Sequence, residues 1–520
     1  MTGAEPRPDS PWELILEDEA ATDDLGRFLA GLLAPGDRVA LSGGLGGGKT
    51  TLARAMIRAL AGDPSLDVPS PTFTLLQPYE AADGRAILHA DLYRLRSPDE
   101  LVELGFEELA EGAIALVEWP DRLGPDAGRP VLTVDLALAP EFGPDARRAV
   151  IAARGGLAPR LARARALRTL LARAGWSEAA RAHIQGDAST RAYERLVQPD
   201  GSAAILMIAP RRPDGPPIRN GRPYSAIARL AESVHAFVAV DRGLRALGIS
   251  APRILGEDLE AGLLLTEDLG REPVVGPEGP LQERYAEATR LLAKLHATDL
   301  PGVLPVADGI DHVLPSYDLE ALLIEVELLL DWYVPHAGGG SVAGGARAEF
   351  LAAWSAILAE IVAARPTWTL RDYHSPNLIW LPEREGLERV GVIDFQDAVL
   401  GHPAYDVASL LQDARVDASP ELELRLLGLY ARERRAREPG FDVEGFARAY
   451  AILAAQRATK ILGIFVRLDR RDGKPGYLAH LPRIEGYLAR SLAHPALARL
   501  RAWYAAQLPG LAGRLAGDET

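Results

Sequence analysis

Short apolar runs alternate with helix-like stretches over residues 1–154. The runs Arg38–Leu41 and Ile114–Val117 have the length and composition of buried strands, whereas Leu52–Leu60 has the pattern of a helix. Buried strands that alternate with helices are typical of a parallel sheet covered by helices. The pattern therefore predicts an α/β domain over residues 1–154.

The pattern changes after this domain. Residues 155–175 consist mainly of Ala, Leu and Arg and contain no aromatic residue, which predicts a connecting helix and a domain boundary. Its arginines indicate a solvated helix face, with an RNA or partner surface as the alternative. Residues 176–510 begin with strand-like runs, among them Tyr193–Val197 and Ala203–Ile208, and continue mainly as helix. The second domain is therefore predicted to be α+β.

The chain is acidic and contains no cysteine. Its formal net charge of -15 repels nucleic acid, so we expect any role in RNA chemistry to work through a partner. The absence of cysteine excludes disulfides and thiolate metal sites. The N-terminal residues lack an apolar signal core, and the most apolar predicted helix, Leu319–Leu330, is interrupted by glutamates. We therefore expect a cytoplasmic protein without a membrane-spanning segment.

Arginine has displaced lysine almost everywhere. Of the 57 basic residues, only Lys49, Lys294, Lys460 and Lys474 are lysines. A lysine that remains in such a chain is a candidate for chemistry that arginine cannot copy. Lys49 is the only lysine in the first 290 residues, and it lies in the glycine-rich segment Gly43–Thr50.

Gly43–Thr50 matches the pattern G-x-x-x-x-G-K-[ST] between a predicted strand and a predicted helix, which is the context that this P-loop motif requires. Glycine lets the backbone wrap closely around phosphate oxygens, and a helix N-terminus favours the anion. We expect the lysine to contact the terminal phosphates and the threonine hydroxyl to ligate Mg²⁺. The predicted nucleotide-binding residues are Gly43, Gly46, Gly48, Lys49, Thr50 and Thr51.

Two acids are placed to complete this site. Glu118 directly follows the predicted strand Ile114–Val117, where an acid can organise Mg²⁺ or water, and Asp91 lies in the motif HADLYR. Ser70–Phe73 lies between the P-loop helix and Asp91, a usual place for nucleotide switches. A guanine-recognising N-K-x-D motif is excluded because the first domain has no second lysine. ATP is therefore favoured over GTP.

The motifs LSGGLGGGKTT, VPSPTFTL, HADLYRL and ALVEWP resemble, in order and spacing, the TsaE family, the ATPase subunit of the bacterial machinery that makes threonylcarbamoyladenosine in tRNA. The resemblance covers about residues 10–140. It implies a small ATPase that binds the threonylcarbamoyl-transferase subunits and reaches tRNA only indirectly. It also implies that Asp91 and Glu118 are the essential acids, that Thr72 belongs to a switch-like loop and that Thr22 contacts the nucleotide base. Gly47 replaces an alanine that is usual in the family loop.

A second phosphotransfer pattern lies in the C-terminal domain. LRDYHSPN, residues 370–377, contains D-x-x-x-x-N, and VGVIDFQ, residues 390–396, places another aspartate at the end of a predicted strand. This is the catalytic-loop and metal-aspartate pattern of kinases. We expect Asp372 to accept the proton of an attacking hydroxyl, while Asn377 and Asp394 hold Mg²⁺ against the ATP phosphates.

The segments predicted to contact the kinase nucleotide are less complete. Leu263–Gly270 is predicted to be a strand and a hinge that binds adenine beside Glu267, with an ordinary strand-to-helix loop as the alternative. Gly186–Arg191 precedes a strand and is expected to cover phosphates, although it lacks a full G-x-G-x-x-G pattern. The strand that usually supplies a phosphate-clamping lysine has none here, so we expect Arg191 or Arg211 to compensate.

The motifs GDASTRAYERL, LIEVELLLDWY, LRDYHSPNLIWL and GVIDFQDAVLGHPAYDVASLLQDAR resemble the aminoglycoside phosphotransferase superfamily and, within it, the bacterial anomeric N-acetylmuramate and N-acetylglucosamine kinases. The resemblance covers about residues 176–505. It implies a two-lobed, protein-kinase-like domain that phosphorylates an amino sugar in peptidoglycan recycling. Candidate substrate residues are Glu325 for sugar hydroxyls, and Arg371 and Arg415 for a lactyl carboxylate. An aminoglycoside or a choline-like alcohol is the alternative acceptor.

Three interpretations of the whole chain compete: two enzymes with separate jobs, an adaptor with one inactive module, or one kinase that the P-loop domain regulates. The intact residues Lys49, Thr50, Asp372, Asn377 and Asp394 argue against an inactive module. Modification of tRNA and recycling of wall sugars share no intermediate, so a regulated single enzyme lacks a chemical rationale. We therefore favour two enzymes on one chain.

Overall fold

The computed structural model of the protein describes residues 11–97, 99–123, 129–184, 191–211, 215–338, 340–508 and 510. The chain forms two compact units, Met1–Thr169 and Leu170–Thr520. Most of the predicted phosphate-covering segment, residues 186–190, lies outside the described residues.

The first unit is built on strands that alternate with helices. In chain order its elements are β1 (Trp12–Leu16), α1 (Glu19–Ala30), β2 (Arg38–Gly43), α2 (Lys49–Ala61), β3 (Leu76–Glu80), β4 (Ala86–Asp91), α3 (Asp99–Glu103), α4 (Phe106–Ala110), β5 (Ile114–Glu118), β6 (Leu132–Leu138) and β7 (Arg147–Ala153). A further helix, α5 (Leu157–Ala174), follows β7 and extends past the boundary between the units.

The strands of the first unit form one mixed sheet in the order β1-β7-β6-β2-β5-β4-β3. Parallel pairing joins β6, β2, β5 and β4, as the alternation of strands and helices predicts. The expectation of a parallel sheet holds for these central strands, whereas β7, β1 and β3 pair antiparallel. The connections from β3 to β4, residues 81–85, and from β6 to β7, residues 139–146, are too short for the crossover that parallel pairing requires.

The parallel strands bring the predicted site residues to one edge of the sheet. In the β4–β5 register Asp91 lies opposite Glu118, and in the β2–β5 register Leu41 lies opposite Glu118. The P-loop, residues 43–50, begins at the carboxyl end of β2. Carboxyl ends of parallel strands are the usual ligand-binding edge of an open α/β sheet.

Helix α5 packs into the core of the first unit through Leu157 and Leu161. Its arginines also contact that unit: Arg165 lies over the ring of Trp12, and Arg168 forms an ion pair with Asp24 at 2.6 Å. These contacts favour a solvated helix face over an RNA-binding surface.

The second unit begins with strands and ends with helices. Its strands are β8 (Ala180–Ile184), β9 (Ala192–Val197), β10 (Ala203–Ile208), β11 (Pro217–Arg219), β12 (Arg222–Pro223), β13 (Ile254–Asp258), β14 (Leu263–Glu267), β15 (Val275–Gly276), β16 (Gly279–Pro280), β17 (Val303–Ala307), β18 (Ile310–Val313), β19 (Thr367–Thr369), β20 (Leu378–Trp380), β21 (Val390–Val392) and β22 (Val399–Gly401). Its helices are α6 (Tyr224–Ile227), α7 (Val234–Ala246), α8 (Gln282–Ala297), α9 (Leu319–Leu328), α10 (Val334–Gly338), α11 (Gly344–Val362), α12 (Ala404–Leu411), α13 (Pro420–Arg437), α14 (Val443–Asp472), α15 (Leu481–Leu492) and α16 (Ala498–Gln507).

An antiparallel sheet in the order β13-β14-β10-β9-β8 forms the strand-rich part of this unit. The predicted strands at 193–197, 203–208 and 263–265 are confirmed as β9, β10 and β14. Two-stranded pairs β19–β22 and β20–β21 carry the segments around the kinase motifs. The unit is therefore α+β, as predicted.

The long helix α14 lies in the core of the second unit. Gly463 permits close packing against α9, because a Cβ atom there would lie 2.3 Å from the carbonyl carbon of Leu328. Contrary to our expectation, α14 is long and apolar enough by composition to cross a membrane. However, 89% of its apolar window is buried inside the protein, which is typical of a core helix.

We predict that α5 is required for the stability of the first unit. A fragment of residues 1–156 lacks Leu157 and Leu161, which are 2% and 6% exposed, and each leucine lost from a core costs about 2–5 kcal/mol. Urea unfolding should therefore show a much lower free energy of unfolding for this fragment than for residues 1–175. A fragment ending at Thr169 keeps both leucines and should match the longer one. Equal stability of all three fragments would contradict the prediction.

Candidate active sites

The P-loop adopts a conformation that only glycine accommodates at its start. Gly43 has φ +129°, and a Cβ atom there would lie 2.1 Å from the carbonyl oxygen of Leu136. Gly46 and Gly48 also have positive φ, and Gly48 immediately precedes α2. The glycines therefore shape the loop and direct it into the N-terminus of α2, where backbone N–H groups favour an anion.

The Lys49 ammonium group lies inside this loop. Its Nζ donates hydrogen bonds of 2.9 Å to the carbonyl oxygens of Gly43 and Gly44 and lies 3.9 Å from the ring centroid of Trp119. Burial lowers the pKa of Lys49, although the charges of Glu118 and Asp91 oppose this. The TsaE resemblance implied that Trp119 stacks or packs near this site, and the structure places its ring beside the Lys49 ammonium group.

A buried carboxylate links the P-loop helix to two strands. The Thr50 hydroxyl donates to Oε2 of Glu118 at 2.9 Å, and Nε2 of His89 lies 3.0 Å from Oε1 of the same side chain. Glu118 and His89 are both buried. The structure thus brings Thr50 and Glu118 together, and it adds His89, which sequence reasoning missed although it stands in the HADLYR motif.

Asp91 holds the switch-like loop. Its Oδ2 accepts hydrogen bonds from the hydroxyls of Thr72, at 2.7 Å, and Ser70, at 3.1 Å, while its Oδ1 accepts the backbone N–H of Tyr93. Phe73, the next residue in the loop, is 82% exposed. This arrangement connects the loop to the edge of the sheet that carries Glu118.

The remaining residue predicted for the nucleotide is Thr22, in α1. Its side chain is buried, and its hydroxyl donates to the carbonyl oxygen of Asp18 at 3.1 Å, within its own helix. Among the hydrogen bonds of the described residues, none joins Thr22 to the P-loop. Thr51 lies in the first turn of α2 and is half-buried.

The second site is formed by the catalytic loop, residues 370–377, and by the segment after β21. The Asn377 side-chain amide donates to the carbonyl oxygen of Asp372 at 2.9 Å, and the backbone N–H of Ile393 donates to the carbonyl oxygen of Asn377. Asp394 follows Ile393 with a left-handed φ of +59°. The structure therefore brings together Asp372, Asn377 and Asp394, as the two motifs predict.

The two aspartates have opposite electrostatic environments. Burial raises the pKa of Asp394, and the charge of Asp372 raises it further. Burial also opposes ionisation of Asp372, but His374 first, and then Lys460 and Arg371, hold its pKa below its ordinary value. Asp372 is thus ionised at neutral pH, as a proton acceptor must be.

Two buried aspartates fix the backbone of the catalytic loop. Asp406 accepts the backbone N–H groups of Leu370 at 2.7 Å and Arg371 at 2.8 Å, one on each carboxylate oxygen. Asp413 accepts the backbone N–H of Ser375 at 2.8 Å. Sequence reasoning missed both roles, although both aspartates lie in the long motif at residues 391–415.

Arg191 is the candidate phosphate clamp that the structure places at this site. Its Nη1 lies 3.8 Å from Oδ1 of Asp394. Arg211 instead lies exposed in a loop after β10, and Lys294 donates to the carbonyl oxygen of Leu247. Glu267, at the predicted hinge, forms an ion pair with Arg384 at 2.9 Å.

The structure corrects the expectation for two substrate candidates. Glu325 and Arg371 are 0% and 2% exposed, and Nη2 of Arg371 donates to Oε1 of Glu325 at 2.5 Å. Lys460 lies 2.8 Å from the same carboxylate, and the Tyr317 hydroxyl donates to its other oxygen. Both charges are therefore satisfied within the protein, so neither side chain is positioned to meet a sugar directly.

Arg415, the third candidate, lies beside the catalytic loop. Its side chain is half-buried, and its backbone N–H donates to Oδ1 of Asp413 at 2.9 Å. Its charge helps to lower the pKa of His374, which burial brings to about 4. His374 is therefore neutral at neutral pH.

Both sites offer oxygen donors that fit Mg²⁺. Thr50 and Glu118 supply a hydroxyl and a carboxylate at one site, and Asn377 and Asp394 supply an amide oxygen and a carboxylate at the other. Within the described part of the chain, no group of three or more His, Asp or Glu side chains forms a metal cluster. Few protein ligands are what Mg²⁺ requires when phosphates and waters complete its shell.

These two sites define the class of protein: a P-loop nucleotide-binding unit followed by a phosphotransferase unit of the kinase type. Residues 16–146 match the family of the threonylcarbamoyl adenosine biosynthesis protein TsaE, and residues 181–440 match the phosphotransferase enzyme family. The chain belongs to the TsaE family through its first part and to the phosphotransferase enzyme family through its second.

Relatives are found for both parts. The N-acetylmuramate/N-acetylglucosamine kinase of Caulobacter vibrioides is 42% identical over 361 residues, which cover 67% of this chain and 97% of that kinase. The kinase of the same name from Pseudomonas aeruginosa is 35% identical over 339 residues, covering 63% and 89%. The TsaE protein of Rickettsia felis is 42% identical over 128 residues, covering 25% and 74%. The chain is thus a fusion of two families.

We predict that Asp406 is a positioning residue for the catalytic loop. In Asp406→Asn, an NH₂ group replaces one of the two acceptor oxygens, so one buried backbone N–H loses its partner at a cost of about 1–3 kcal/mol. We expect a lower melting temperature and a lower kcat for phosphotransfer. The matched change Asp299→Asn, at a side chain 91% exposed, should alter neither. Unchanged kcat in Asp406→Asn would contradict the role.

Proposed function

We propose that the protein is bifunctional: an ATPase subunit for threonylcarbamoyladenosine modification of tRNA and an ATP-dependent anomeric kinase of N-acetylmuramate and N-acetylglucosamine. The observation that carries this proposal is that each unit brings a set of phosphate-handling residues together: Lys49, Thr50 and Glu118 in the first, and Asp372, Asn377 and Asp394 in the second. The names of the relatives, at 42% identity for each part, support the two activities.

In the first unit, we assign the ATP phosphates to the P-loop and to Lys49. Phosphate oxygens would replace the loop carbonyls as partners of the ammonium. Thr50 and Glu118 would hold Mg²⁺, directly or through water, and the ion would neutralise charge on the phosphates. Asp91, bonded to Thr72, would couple the phosphate site to the switch-like loop.

The proposed partners of this unit are the subunits of the threonylcarbamoyl-transferase complex. The net charge of -15 disfavours direct binding of tRNA, and it therefore supports a role in which this unit acts through protein partners. The exposed Phe73 lies in the loop bonded to Asp91, where a partner could sense the nucleotide. We assign the protein to the cytoplasm, where tRNA and ATP are found.

In the second unit, we assign proton abstraction from the anomeric hydroxyl to Asp372. That hydroxyl is more acidic than an ordinary alcohol, so a base with a low pKa suffices. Asn377 and Asp394 would hold Mg²⁺, and Arg191, close to Asp394, would contact the phosphates in place of the missing lysine. The antiparallel sheet and the helical part would form the two lobes around ATP, with the adenine beside Glu267.

The alternative acceptors, an aminoglycoside or a choline-like alcohol, are cations. The names of the relatives favour the two amino sugars over these cations. Regulation of the kinase by the P-loop unit remains the alternative to two separate activities, and variants in each site distinguish them.

The first prediction from this proposal concerns Lys49. Lys49→Ala removes the ammonium group from the phosphates and should lower ATP hydrolysis by about a hundredfold or more. The measurement is phosphate release by a fragment of residues 1–175 with the transferase subunits added. Sugar phosphorylation by the full chain carrying Lys49→Ala should be unchanged. A loss of both activities would support regulation, and unchanged hydrolysis would contradict the assignment.

The second prediction concerns the kinase base. Asp372→Asn keeps the shape of the side chain and removes the proton acceptor, so kcat should fall about 10²–10⁴-fold while ATP binding persists. Product analysis with N-acetylmuramate, N-acetylglucosamine, an aminoglycoside and choline at equal concentration tests the acceptor at the same time. Asp308→Asn, at an exposed position, serves as control. Preference of the native protein for a cationic acceptor would refute the sugar assignment.

A further inference from the structure

Helix α14 carries a row of basic residues on one face. Arg457, Lys460 and Arg467 are separated by three and seven residues, which places them on the same side of a helix. Lys460 is connected to the catalytic loop, because it pairs with Glu325, which also pairs with Arg371 of that loop. Arg467 lies two helical turns farther along, about 10 Å from Lys460 at 1.5 Å per residue.

The basic residues around α9 are matched by acids. Within the described segments, ion pairs join Arg219 and Arg347 to Glu327, Arg222 to Glu320, Arg229 to Asp318, and Arg371 and Lys460 to Glu325. Arg467 differs: no carboxylate among the described residues forms an ion pair with it. The nearby Asp472 is engaged by Arg471 through two hydrogen bonds of 2.8 and 2.9 Å.

Arg467 faces Tyr224 at the side of the kinase site. Its guanidinium carbon lies 5.0 Å from the centroid of the Tyr224 ring. The hydroxyl of Tyr224 responds in turn to the charges of Glu325 and Lys460, so these groups share one region with Arg467. Tyr224 packs against Ile324 of α9, and the next residue, Glu325, pairs with Arg371 of the catalytic loop. Arg467 is therefore connected to the catalytic loop through Tyr224 and α9.

The Nε of Arg467 is buried and has no hydrogen-bond partner among the described residues. A buried donor without an acceptor is costly, and burial lowers the pKa of this arginine. Arg467 as a whole is only half-buried, so a carboxylate that approaches from solvent could pair with the charge of its guanidinium group.

We propose that Arg467, supported by Tyr224, binds the carboxylate of an acidic sugar acceptor, namely the lactyl group of N-acetylmuramate. This inference rests on the proposed kinase function and names the residue that distinguishes its two acceptors. N-acetylglucosamine lacks the lactyl group and makes no use of the site.

The test is the steady-state kinetics of Arg467→Gln in the full chain, with each sugar as acceptor. The change removes the charge and keeps polar atoms, so KM for N-acetylmuramate should rise about ten- to hundredfold. KM for N-acetylglucosamine, and kcat for both sugars, should stay within about twofold. The matched control is Arg470→Gln, on the same helix with a side chain 62% exposed, and it should match the native protein on both sugars.

The methyl ester of N-acetylmuramate provides a test that does not depend on the folding of a variant. The ester removes the negative charge, so the native protein should bind it about as weakly as Arg467→Gln binds the acid. If the ester and Arg467→Gln remove the same contact, KM of the variant should be no higher for the ester than for the acid. Arg467→Lys keeps the charge without the fork and should give an intermediate KM.

Three results would overturn the inference. If Arg467→Gln raises KM equally for both sugars, the residue has a structural role. If KM is unchanged for both sugars, Arg467 does not contact the carboxylate. If the native protein has the same KM for the acid and for its methyl ester, no cation of the protein binds the carboxylate. A native protein that phosphorylates N-acetylglucosamine but never N-acetylmuramate would overturn this inference alone, whereas failure on both sugars would refute the proposed kinase function.

Discussion

The buried charge of Glu325 determines the arrangement of the kinase site. An isolated carboxylate in a protein interior is too costly to persist, so it must be paired with cations and hydrogen-bond donors. Glu325 in α9 is paired with Arg371 in the catalytic loop and with Lys460 in α14. Although burial opposes its ionisation, these two cations hold its pKa below the ordinary value. Three elements are thus connected at one carboxylate, directly beside Asp372.

The first unit uses the same physical arrangement at a smaller scale. The buried carboxylate of Glu118 joins the first turn of α2, through Thr50, to β4, through His89. In both units, the acid that organises the site is inaccessible to bulk water, and its partners belong to elements distant in sequence. Preorganised polar groups in a water-poor site need little rearrangement when charge develops on a phosphate.

Motifs with fixed spacing predicted which residues lie together, namely Lys49 with Thr50, and Asp372 with Asn377 and Asp394, because each set lies within short segments whose backbone sets its positions. The roles of these residues stay predictions. The edge strands of the mixed sheet were missed, since alternation of strands and helices does not show hairpin partners. Glu325 and Arg371 were correctly placed near the site but given the wrong role, because a sequence does not show which charges neutralise each other. Arg467 was missed for the same reason: its lack of an ion pair appears only when its neighbours are known.

The basic residues of α14 also bear on how this segment behaves before the protein is folded. Arg457 and Lys460 lie near the middle of a helix whose length and hydropathy would otherwise suit a bilayer. Each such cation at the centre of a membrane helix disfavours insertion by about 2.5–3.5 kcal/mol. As the chain leaves the ribosome, these side chains therefore oppose capture of the segment by the translocation machinery, and α14 stays available to form the core.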